Sequence, residues 1–250
     1  LGILFADPKD ITHEVYTAGA VNKRLEIPPH DADYISEATS RETPVDCELL
    51  CMSPHMHVRG SSFYYEAVFP DGTRHPLLNV PNYDFNWQTD YRLSQPVKLP
   101  KGTTIHCVAG YDNSSANAAN PDPAARVRWG DQTTDEMLIG YFTVITPISA
   151  NRGGMHPFDR QKAIQEVDKM VFGNQDKNRD GRLVADEVEP AVWVLAQLVG
   201  IEANGDGAID RNEFSNWLDK QDNPLALLDN PVIQRIPQVQ KLLKRLEAVH

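Results

Sequence analysis

The hydrophobic period of this 250-residue chain changes once, near residue 149, and that change bounds what it can fold into. Upstream, short runs rich in Val, Tyr, Phe and Thr alternate with Pro, Gly, Asn and Asp. The clearest runs are 47–52, 62–69, 97–99, 103–109 and 138–144, and Pro70-Asp71-Gly72 and Pro100-Lys101-Gly102 read as turns. No long amphipathic pattern interrupts them. Residues 1–148 are therefore expected to form an antiparallel β-sandwich or jelly roll. After a Gly- and Asn-bearing linker at 149–157, Ile164, Val167, Met170 and Val171 recur at helical spacing. Residues 188–200 are apolar on nearly every side, with Pro190 suited to a first turn and Gly200 to a stop. Behind Pro237, Val239, Leu242, Leu243 and Leu246 give another helical stripe. Residues 158–250 thus read as a small all-α domain, and the whole chain as mainly β with a helical end.

Charge and cysteine content narrow the function classes. A net charge of −11 argues against a nucleic-acid partner, which needs a basic face. The apolar stretch at 192–195 is too short to span a membrane. The chain opens on Leu1 with no charged-then-apolar leader and reads as a processed piece of something longer. Cys47, Cys51 and Cys107 are too few for a disulfide scaffold and are not spaced for zinc; one disulfide or three buried thiols both fit.

Two acidic segments carry the pattern of a twelve-residue calcium loop. In 176–187, Asp176, Asn178 and Asp180 offer side-chain oxygens and Arg182 its carbonyl. Gly181 permits the sharp turn, Leu183 packs inward and Glu187 offers a bidentate carboxylate. In 202–213 the corresponding residues are Glu202, Asn204, Asp206, Ala208, Asp210 and Glu213, with Gly207 and Ile209 in place. Glu202 puts a longer arm where a short one is usual, so this loop is expected to bind calcium more weakly. Fourteen residues separate the loops, which predicts one shared helix over about 185–200. At 1.5 Å rise per residue, that rod would hold the loops roughly 20–25 Å apart, with independent calcium sites.

In the β region, Ser53-Pro54-His55-Met56-His57-Val58-Arg59-Gly60 ends a strand. Residues two apart on a strand share a face, so His55 and His57 project together, a pair suited to copper, zinc, nickel or iron. About eighty residues on, Trp129-Gly130-Asp131-Gln132-Thr133-Thr134-Asp135-Glu136-Met137 leads into an apolar strand. A thioether there is a soft ligand that favours Cu(I). No cysteine lies near Met137, which argues against a blue-copper carrier. The other histidines, His13, His30, His75, His106, His156 and His250, form no second pair.

The His-x-His strand followed by Thr-x-Asp-Glu-Met resembles the C-terminal domain of the copper type II, ascorbate-dependent monooxygenases, the peptidylglycine and dopamine β-monooxygenase family. The stretches from Asp84-Phe85-Asn86-Trp87 to Tyr91 and at Tyr111-Asp112-Asn113-Ser114 resemble its bacterial members, and the likeness spans about 1–144. It implies copper at His55, His57 and Met137, with Tyr141 matching a substrate-holding tyrosine. It implies O2 activation and C–H hydroxylation, an ascorbate-like reductant, and an unidentified small-molecule or peptide substrate. A second copper would sit on an upstream domain, leaving this chain alone poorly active, and the location would be extracytoplasmic, periplasmic or secreted. The pattern departs where the amidating enzymes carry arginine and asparagine: those positions are Ser53 and Ile139, and Leu138 stands for a cysteine. Two further readings are a non-catalytic extracytoplasmic copper- and calcium-binding module, and a sandwich that recognises carbohydrate or protein with calcium only structural.

Overall fold

A computed structural model describes residues 2, 4–202 and 204–229, so the predicted stripe at Val239, Leu242, Leu243 and Leu246 lies outside the described residues. The chain divides into two compact units, Leu1–Ala150 and Asn151–His250.

The first unit contains β1 (His13–Val21), β2 (Glu26–Ile27), β3 (Tyr34–Thr39), β4 (Cys47–His55), β5 (Gly60–Val68), β6 (Arg74–Val80), β7 (Tyr91–Leu99), β8 (Thr104–Tyr111), β9 (Val127–Arg128) and β10 (Ile139–Pro147). They form two four-stranded sheets, ordered β1-β10-β4-β7 and β3-β8-β5-β6, with a small β2-β9 pair. Every pairing is antiparallel. Gly72 and Gly102 sit at φ +83° and +88° in the two turns expected from the sequence, a region that favours glycine. The two sheets bury Leu49, Met52, Phe63, Tyr65, Cys107, Phe142 and Val144. They approach so closely at Gly140 of β10 that an added Cβ would stand 2.4 Å from Cys107 Sγ on β8. The Tyr65 hydroxyl donates to the Tyr141 carbonyl at 3.2 Å across the same seam. Cys47, Cys51 and Cys107 are all free and buried. Burial pushes the Cys47 thiol up to about 12, and Cys107 up as well.

The second unit contains α1 (Pro157–Gln175), β11 (Arg182–Leu183), α2 (Pro190–Leu198), β12 (Ile209–Asp210) and α3 (Arg211–Lys220). Val167, Phe172, Leu183, Val188, Ile209, Phe214 and Leu218 form its core. Buried Arg160 on α1 donates to the carbonyls of Asp219 at 2.8 Å and Asp222 at 2.9 Å, neutralising the exposed end of α3. The sequence-predicted linker is tied in as well: Arg152 within it donates to the Asp219 carbonyl at 2.6 Å.

The single rod over 185–200 does not form. β11 and β12 pair antiparallel, Arg182 with Asp210 and Leu183 with Ile209, so the two loops lie side by side. Only Pro190–Leu198 is helical. Pro190 disfavours the helical region for Glu189 and so separates α2 from the turn at 185–187, letting the chain double back. The fourteen-residue spacing was compatible with a rod; the proline and the apolar ladder residues Leu183 and Ile209 favour the folded-back form.

Candidate metal centres

β4 and β10 pair so that Ser53 faces Tyr141 and His55 faces Ile139. Directly opposed residues share a face of the sheet, so His55 and Tyr141 come together, ring centroids 6.3 Å apart. His57 lies two residues beyond His55, and Met137 two before Ile139. Both lie just past the end of the β4–β10 ladder, and the Met137 N–H, like that of His57, donates to the Glu136 carboxylate, at 3.2 Å. Buried Glu136 fixes this junction. Its carboxylate accepts the His57 N–H at 2.8 Å and the Arg59 N–H at 2.7 Å, tying the histidine strand to the methionine segment. The Tyr111 hydroxyl donates to the Met137 carbonyl at 2.9 Å. Arg59, fully buried, donates to Asn113 at 2.8 Å and to the Thr134 carbonyl at 2.9 Å. Burial pushes Glu136 up to about 7, against the three amides and the Arg59 guanidinium that hold it down.

The two imidazoles stand edge to face, centroids 5.4 Å apart. Each turns its Nδ1 to a carbonyl oxygen: His55 to Gln88 Oε1 at 2.6 Å, His57 to the Asp135 carbonyl at 3.2 Å. The Gln88 amide nitrogen donates to the Phe85 carbonyl at 3.0 Å, which fixes the oxygen toward His55. An oxygen acceptor requires Nδ1 to carry the proton, so in the neutral ring Nε2 holds the lone pair. Burial, reinforced by the neighbouring His55, lowers the His57 pKa, while the Asp135 and Gln132 carbonyls oppose the shift. The neutral form, the one that ligates metals, is thereby favoured.

Phe85 packs edge-on against His57 at 6.1 Å. A cleft of about 390 Å³ opens beside His55, lined by Ser53, Gln88, Asp90 and Tyr141, with the Ser53 hydroxyl bonded to Asp90. Sequence reasoning missed Gln88 and the supporting role of Arg59. A glutamine gives no periodic signal, and Arg59 declares itself only through its burial. Among the described residues no group of three or more His, Cys, Asp or Glu is gathered to hold a metal, neither beside the histidine pair nor in the two acidic loops.

In the helical unit the loop carboxylates are engaged with backbone amides. Asp176 accepts from Asp180 at 3.1 Å and Gly181 at 3.0 Å. Asn178 accepts from Asp180 at 2.9 Å, and Asp180 accepts from Arg182 at 2.8 Å. Glu187 accepts from Lys177 and Asn178, each at 3.2 Å, folding the end of the loop over its beginning. The second loop repeats this arrangement. Glu202 accepts from Asp206 at 3.1 Å, Asn204 from Asp206 at 2.8 Å, and Glu213 from Asn204 at 3.2 Å. Asp210 and Glu213 also form a reciprocal capping box at the start of α3. Asp206 accepts from Ala208 at 3.0 Å, which holds its pKa down, and the Arg182 side chain pairs with it across the two loops.

No protein-family model matches the chain, and no curated protein matches it. Among solved structures it is similar to that of infectious bursal disease virus Gt strain, with 13% identity over 60% of this chain and 38% of that one and a TM-score of 0.27. For the Gx strain of the same virus the values are 12% identity, 72%, 54% and a TM-score of 0.24. The chain thus spans 38% and 54% of the length of those chains. Likeness at this level carries no functional argument. No helix among the described residues is long and apolar enough to cross a membrane.

Proposed function

We propose that the chain is an extracytoplasmic copper- and calcium-binding module: a jelly-roll-like β unit with copper at His55, His57 and Met137, followed by a pair of EF-hand loops. The observation that carries the copper reading is the orientation of the imidazoles. Both are held by carbonyl oxygens through Nδ1, the outer-shell arrangement typical of metal-ligating histidines, so both would ligate through Nε2. Met137 would complete a soft, open set suited to Cu(I). In the helical unit, side chains of Asp176, Asn178, Asp180 and Glu187, with the Arg182 carbonyl, would hold one calcium. Glu202, Asn204, Asp206, Asp210 and Glu213, with the Ala208 carbonyl, would hold the other. The decisive experiment is a copper titration with X-ray absorption on the reduced chain. One copper per chain and a sulfur scatterer that vanishes in Met137→Ala are expected. Absence of copper binding would overturn the reading, and a retained sulfur signal would remove Met137 from it.

A second reading, as one half of an ascorbate-dependent monooxygenase, is favoured by the open cleft beside His55 and Tyr141, which offers room for a substrate. Copper would supply one-electron chemistry toward O2 there. Tyr141 would help orient the substrate, and an upstream copper domain would deliver electrons from an ascorbate-like reductant. Ascorbate-dependent O2 consumption coupled to a hydroxylated product in a longer protein, with little in residues 1–250 alone, would support it. Efficient coupled hydroxylation by this chain alone would contradict the need for a second domain.

A further inference from the structure

The helical unit carries an apolar groove that neither metal reading uses. It encloses about 280 Å³ and is lined by Val192, Trp193, Ile209, Phe214, Trp217 and Ala226, among others. Its rim includes Val199, just past the end of α2 and 42% exposed. An apolar surface of this kind bordering a cavity is an interaction site rather than a solvated face.

We propose that the groove is the docking site of the chain's own C-terminal segment, residues 231–250. Four observations favour that occupant over a foreign one. The chain is already at the groove when it reaches the segment: Ala226 lines it, and Leu228 is buried on the same unit. The segment then carries apolar residues at Val239, Leu242, Leu243 and Leu246, the i, i+3, i+4, i+7 spacing of a single helical face. Eight residues from Asp229 to Pro237 reach as far as about 26 Å, enough to cross a small domain. The charges also match. Residues 231–250 hold four Lys or Arg against one acidic residue, whereas residues 151–229 hold nine against fifteen Asp or Glu. With the stripe turned inward, Lys241 and Lys244 fall on the opposite side of the helix.

The docking does not depend on copper or calcium, so its test is made on the full chain in metal-free buffer. Hydrogen exchange is followed by mass spectrometry in the wild type, Leu242→Glu/Leu243→Glu, Val199→Glu and Lys241→Ala. The stripe variant should lower protection over 190–199 and 214–217 by about tenfold or more, and adding a peptide of the wild-type 231–250 sequence should restore it. Val199 lines the groove and is 42% exposed, so Val199→Glu leaves the unit folded, yet it should raise exchange within 239–246. Lys241→Ala, opposite the stripe, should change neither. Rapid exchange of 239–246 in the wild type, or full protection of the groove in the stripe variant, overturns the proposal. Protection that rises with protein concentration also overturns it, because the occupant is then a second copy.

Discussion

The Glu136 carboxylate accepts the backbone N–H of His57, 2.8 Å away and seventy-nine residues distant in sequence. With the 2.7 Å bond from Arg59 it makes one buried side chain the link between the histidine strand and the methionine segment. Glu136→Ala leaves both amides without that acceptor, at a cost of about 1–3 kcal/mol for each buried group left unpaired. Denaturant unfolding of the β unit measures this. If the histidine pair binds copper, affinity should also fall about 10- to 100-fold, because the ligand strand loses its anchor. An unchanged midpoint would show that the junction is held by other contacts.

If the two acidic loops bind calcium, the β11–β12 ladder predicts that their sites are coupled. Leu183 and Ile209 of the ladder each sit one residue past the carbonyls of Arg182 and Ala208, so ordering one loop fixes a strand of the other. Glu187→Gln should weaken the second loop as well as its own, by about fivefold or more, and Glu213→Gln should do the converse. Isothermal calorimetry of both variants decides between coupled and independent sites. Unchanged affinity in the partner loop would argue against the ladder as a coupling element.

Gly140 makes a steric prediction independent of any metal. Its missing Cβ lets Cys107 Sγ and the Tyr65 ring close the seam between the sheets. Gly140→Ala should destabilise the β unit by about 1–3 kcal/mol through overpacking. Cys107→Gly should recover part of that loss in the double variant, a coupling that a double-mutant cycle reads directly.

Asp168 on α1 is half of an ion pair with Arg211, yet its Oδ1 is buried without a hydrogen-bond partner among the described residues. Burial raises its pKa, and Arg211 only partly opposes the shift. A carboxyl raised in the folded state contributes stability that is fully present below its unfolded value, about 4, and is lost as pH rises through the folded value. Asp168→Asn removes that titration. The stability of wild type relative to the variant should therefore decline as pH rises above about 4, read by urea unfolding of the helical unit in calcium-free buffer. A difference that grows with pH would show that the Arg211 pairing outweighs burial.

The sequence alone determined the interior of the β unit. The runs at 47–52, 62–69, 103–109 and 138–144 became β4, β5, β8 and β10, which are the inner strands of the two sheets. An inner strand is flanked by partners on both sides, so its composition is dominated by burial and its pattern is legible. The edge strands β1, β3 and β6 went unread. β6 even contains Pro76, which an edge tolerates because one row of amides needs no partner. His-x-His and the two acidic loops were visible as well, because each is a local spacing. Only the tertiary structure decided which carbonyls orient the imidazoles, that a buried glutamate joins two distant segments, and that the acidic loops pair. Those are contacts between residues tens of positions apart, and they follow from how the sheets stack and where Pro190 lets the chain reverse. No local period records them.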